Sequence, residues 1–153
     1  MTAGETAAEL RSVIGDALPL LPQADDARTM RRGKTDGWCA REVLGPLIDS
    51  AFNNHRRFVV GQSADTARFD GYNQDDWVAR QHYDQVAWGD LVTLWSAYNR
   101  HLAHVVSGMS GEAAARTALA PDGSRAVSIA FLMEDYVRHL RHHLDQLRTL
   151  LAT

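Results

Sequence analysis

"DQVAWGDLVTLWSAYNRHLAHVVSGM" (84–109) decides how this chain is read. Trp88, Leu91, Trp95, Tyr98, Leu102, Val105 and Met109 recur three or four residues apart along all of it, the period of one helix face. Three further segments share that period. The first runs from about Glu5 to Leu18 and carries Leu10, Val13, Ile14 and Leu18. The second runs from Trp38 to about Gly61, with Asp36 as its cap and Leu44, Leu47, Ile48, Ala51, Phe52, Phe58 and Val59 on one face. The last is capped by Ser128 and runs to about Leu151.

Between these segments the periodicity breaks. "PLLPQADDARTMRRGKTDG" (19–37) and "SGEAAARTALAPDGSRA" (110–126) read as connections, the latter with a turn at Pro121-Asp122-Gly123. "QSADTARFDGYNQDDWVARQHYD" (62–84) is polar, yet it is studded with Phe69, Tyr72, Trp77 and Tyr83. Those aromatics predict a loop folded back onto the body, with one short helix at 74–81. Strand content is expected only in a few residues near 116–120. Four long amphipathic segments with two long connections predict an all-α single domain, a four-helix bundle spanning 1–153.

The composition narrows the function classes. With 153 residues the chain is long enough to enclose a core, and 45% hydrophobic with 23% charged residues is ordinary for a globular domain. A net charge of −3 and the lack of a Lys/Arg run argue against a nucleic-acid partner. No apolar stretch approaches the roughly 20 residues that span a bilayer, so no membrane role is expected. The first residues lack the basic and apolar regions of a secretory signal. Cys39 is the single cysteine, which excludes an internal disulfide and fits a cytoplasmic location. Beside Trp38 it reads as a small buried hydrophobe rather than a nucleophile.

"HLRHHLDQL" (139–147) is the stretch richest in chemistry. On a helix His139 and His143 lie one turn apart, together at one margin of the apolar arc formed by Ile129, Met133, Leu140, Leu144 and Leu147. His142 points further out. Asp135 stands one turn before His139, where it can hold an imidazole's second nitrogen. Two imidazoles leave a Zn or Ni ion short of at least one protein ligand. The remaining histidines have no spacing that pairs them with this couple. His55 reads as a core or subunit-interface residue, and His82, His101 and His104 as structural or solvated.

Three stretches together resemble the DinB-like superfamily. They are "GWCAREVLGPLIDSAFNNHRRFV" (37–59), "YNQDDWVARQHYDQVAWGDLVTLWSAYNRHLAHVV" (72–106) and "DYVRHLRHHLDQL" (135–147), about half the chain in the family's order. The resemblance implies an antiparallel-type bundle, often a homodimer, with a divalent metal (Zn or Ni) held by three histidines. It implies a hydrolase, or a transferase using low-molecular-weight thiols. Two of its ligands match His139 and His143. The third falls in an "LGHLIDSA"-like motif that here reads "LGPLIDSA", so its position is Pro46.

Proline offers no donor or acceptor and cannot be a ligand. It also removes an N–H from the helix, which predicts a kink or a restart at Gly45-Pro46. By helical geometry Asn53 lies about 20° from Pro46, Ser50 about 40° and Asp49 about 60°. Of these Asp49 is the substitute ligand by residue type, with Ser50, Asn53, Asp135 and Tyr136 as pocket residues. Two functions therefore stand side by side. One is a metal-dependent hydrolase or thiol transferase with a degenerate three-histidine site, in which the metal activates water or a thiol. The other is a non-catalytic small-ligand-binding or dimeric scaffold protein that has lost the metal.

Overall fold

A computed structural model describes residues 1–120 and 123–152. Four long helices form the body: α1 (Ala3–Ala17), α3 (Ala40–Gly61), α5 (Trp88–Ser107) and α7 (Ile129–Ala152). Shorter helices α2 (Asp26–Met30), α4 (Gln74–Gln81) and α6 (Gly111–Ala114) lie in the connections, together with a 3₁₀ turn at Tyr83–Gln85. The bundle is four-sided: α1 packs on α5 and α7, and α3 packs on the same two. Consecutive helices α1 and α3 thus face each other across one diagonal, and α5 and α7 across the other. The connections α1–α3 and α5–α7 therefore cross an end of the bundle, while the equally long α3–α5 connection joins neighbours and carries β1, α4 and the 3₁₀ turn.

Local chemistry sets the helix ends. Thr2 accepts the Glu5 N–H while Glu5 accepts the Thr2 N–H, which starts α1. Ser128 Oγ accepts the Phe131 N–H at 3.0 Å and starts α7, as its position in the sequence predicts. At α3 the cap position is Cys39, whose N–H is bonded by Glu42. Asp36, expected there, instead accepts the Trp38 N–H at 2.9 Å and holds the loop that leads in.

Several other expectations are corrected. Pro46 lies inside α3 with no restart. One missing N–H leaves the bonds on either side in place, and packing against α5 and α7 secures the turn. Phe52 and Val59 are about half exposed, at 53% and 47%, rather than core. The inward arc of α3 is narrower than its apolar count, and Phe52 packs on Trp77 of α4 instead. The third long helix begins at Trp88 rather than Asp84, because the 3₁₀ turn intervenes.

A small sheet adds to the expected strand content. β1 (Thr66–Arg68) pairs in parallel with β2 (Thr117–Leu119), which pairs antiparallel with β3 (Ala126–Ser128). It ties the α3–α5 connection to the α5–α7 connection. Of the expected turn, Pro121 and Asp122 lie outside the described residues; the Gly123 N–H bonds to Ala120 O at 2.8 Å. Among the described residues no helix is long and apolar enough to cross a membrane.

Candidate functional site

α7 presents His139 and His143 to α3 at the edge of the core. Their Nε2 atoms are 3.0 Å apart. Both rings line a cleft of about 20 Å³ with Pro46, Ser50, Tyr72 and Trp38, room for about one water molecule or one ion. The position that the resemblance assigns to a third histidine therefore does face the pair, and it carries a pyrrolidine ring.

The hydrogen bonds assign the protons. His143 Nδ1 is 3.1 Å from Gln146 Oε1, an acceptor, so the ring nitrogen donates. A neutral His143 then keeps a lone pair on Nε2, and the His139 Nε2–H donates to it. Gln146 Nε2 donates in turn to Asp36 Oδ2 at 3.1 Å, which orients the amide. The result is a one-way chain, His139 to His143 to Gln146 to Asp36, ending on a carboxylate. Burial, and secondly the neighbouring His143, depress the His139 pKa below 6.5, against a smaller upward pull from Asp135. That keeps His139 neutral at neutral pH.

Asp135, expected to hold a histidine's second nitrogen, pairs with Arg138 instead. Gln146 fills that role. Its signal in the sequence is its i+3 spacing from His143, but the anchoring carboxylate lies 110 residues away. Tyr136 does not line the cleft: it is buried in the core and its hydroxyl donates to Asn99 Oδ1 at 2.6 Å. Asn53 turns back on its own helix, donating to Asp49 O at 2.9 Å. Ser50 does line the cleft.

Asp49 is the clearest departure. It is buried, and its Oδ1 accepts from the Tyr83 hydroxyl at 2.5 Å and Gln81 Nε2 at 2.9 Å. Its Oδ2 is buried without a hydrogen-bond partner. Burial pushes the carboxyl pKa up, against the lowering effect of these two bonds. The carboxylate is thus committed to the α4 end and the 3₁₀ turn, away from the imidazoles. The approach is tight: a Cβ on Gly45 would meet the Tyr83 ring at 2.2 Å.

Cys39 is fully buried and burial raises its thiol pKa, so it is an inert packing group. His55 is half-buried, with Nδ1 2.8 Å from the Tyr98 hydroxyl and its ring edge-on to His101. His82, His101, His104 and His142 are exposed.

A metal can be tested against this donor set. Among the described residues no three His, Cys, Asp or Glu side chains converge to hold an ion. Two imidazoles, a proline and a serine do not make a resident site for a transition metal.

No family model and no curated protein matches the chain. A solved structure does: YfiT from Bacillus subtilis, described as a probable metal-dependent hydrolase with an unusual four-helix bundle topology. The two superpose with a TM-score of 0.87 at 18% identity, covering 97% of this chain and 85% of that one. In fold, this chain is a four-helix bundle of the YfiT type.

Proposed function

We propose that this chain is a small-molecule-binding protein on a YfiT-type bundle, whose His139–His143 cleft works without a resident metal. The observation that carries the reading is Pro46 in the same cleft as both imidazoles. It occupies the place from which a third ligand would reach the ion, and Asp49 is engaged elsewhere. What remains is a hydrogen-bonded imidazole pair oriented by Gln146. His143 Nε2 is the acceptor that a ligand hydroxyl, amide or thiol would meet on displacing the His139 N–H. Trp38 and Tyr72 supply apolar walls.

Metal analysis of protein purified without an affinity tag tests this. The expected content is below about a tenth of an equivalent of Zn, Ni, Fe or Mn, with no saturable binding on titration. A stoichiometric metal that His143→Ala abolishes would overturn the reading.

A second reading keeps the metal-dependent hydrolase or thiol transferase. It is favoured by the 3.0 Å separation of the two Nε2 atoms. Two ligands about 2.1 Å from one ion stand about 3.0 Å apart at a 90° octahedral angle and about 3.4 Å apart in a tetrahedral shell. The description of YfiT points the same way. Homodimer formation, a cytoplasmic location and the lack of a nucleic-acid partner belong to the proposal under either reading.

A further inference from the structure

A second cavity lies between the C-terminal turn of α1, the 18–24 loop, α2 and the last turns of α7. Its volume is about 320 Å³, and it shares no lining residue with the histidine cleft. Small-molecule pockets begin at roughly this size. The walls are aliphatic: Ala17, Leu21, Ala24, Leu144 and Leu151. Arg28 and Arg148 also line it.

The floor is built rather than accidental. Trp88 Nε1 donates to Leu21 O at 2.6 Å across the core, which fixes the loop. Asp25 accepts the Arg28 N–H at 2.8 Å and sets the start of α2. Arg148 Nη1 pairs with Asp145 Oδ1 at 2.9 Å, but its Nε is buried and has no hydrogen-bond partner. A buried, unpaired guanidinium N–H is costly unless something accepts from it. The Arg28 guanidinium makes no ion pair among the described residues. At the rim Leu20 is 52% exposed.

We propose that this cavity binds an amphipathic monocarboxylate, its unbranched apolar tail among the leucines and its carboxylate between Arg28 and Arg148. The aliphatic walls select the tail. The two arginines select an anion over a neutral head. The site is independent of the histidine cleft, so His143→Ala leaves it intact.

Calorimetric titration with hexanoate, octanoate and decanoate tests the site, with decanol as the neutral control. Saturable one-to-one binding is expected, tightening about fourfold per added methylene, since each buried CH₂ adds a fixed increment. Arg28→Gln/Arg148→Gln, checked for unchanged helical content, is expected to weaken decanoate about tenfold or more and leave decanol unmoved. Ala24→Phe, which fills the cavity from its loop side, is expected to abolish binding of both. The proposal is overturned if decanoate does not bind, if decanol binds as tightly, or if the double variant binds decanoate like the parent.

Discussion

Asp49 and Ser50 are neighbours in sequence, yet α3 gives them different company. Ser50 joins Pro46, His139 and His143 in a cleft where a proline stands in the third-donor position. Asp49 turns about 100° away and enters a crowded network with Tyr83 and Gln81. One face of the helix has room and too few donors; the other has a carboxylate and no room. Residue type says which groups can do chemistry, while the helix phase decides which of them meet.

The largest effect should come from repairing the sparse face. Pro46→His adds an imidazole where the pyrrolidine now lines the cleft and restores the N–H that Glu42 lacks. The variant is expected to take up about one equivalent of Zn or Ni, read by metal analysis, and Pro46→His/His143→Ala to lose it. If Pro46→His binds no metal, its position does not aim at the pair and the comparison fails.

On the crowded face, Gly45→Ala places a Cβ 2.2 Å from the Tyr83 ring. Overpacking of that kind costs about 2–3 kcal/mol, even after the gain in helix propensity, and a urea melt would measure it. Tyr83→Phe leaves Asp49 Oδ1 with Gln81 alone, at a cost of about 2 kcal/mol. A loss smaller than that of a surface substitution would mean the network is not what holds the 3₁₀ turn.

The smallest effect is in the pH dependence, where the two faces have opposite signs. Asp49 has a folded pKa above 3.8, so the folded state keeps a proton the unfolded chain has already lost. Its contribution is greatest below that value and declines as pH rises through the raised pKa. His139 has a folded pKa below 6.5, so the unfolded chain takes up its proton first. Its contribution is full above 6.5 and is lost as pH falls through the depressed value, an effect that solvent at this exposed ring weakens. Thermal melts across pH 4–8 should show Asp49→Asn gaining on the parent at the alkaline end. His139→Gln should gain at the acid end.

The long helices were legible because each repeats its apolar residues for four turns or more, and α4 because turn signals bound it. Of the strands only β2 was, within the expected 116–120; β1, β3 and α2 were not, since three to five residues carry too little periodicity to register. α2 exists because buried Arg41 bonds to Asp26, Thr29 Oγ1 and Val86 O, contacts that only the folded chain assembles. Phe52 belongs to an apolar face by its spacing, yet it is half exposed and its ring meets Trp77 of α4.

The chain's own order of residues determined four amphipathic helices, the shared face of His139 and His143, and a proline at position 46. These are local facts, set by the 3.6-residue period and by side-chain chemistry. Tertiary structure decided the rest. It brought Pro46 into the same cleft as the imidazoles, gave Asp49 to Tyr83, and replaced Asp135 by Gln146 as the group that orients His143. Each depends on the phase between two packed helices or on a partner far along the chain, and neither is encoded in any one segment.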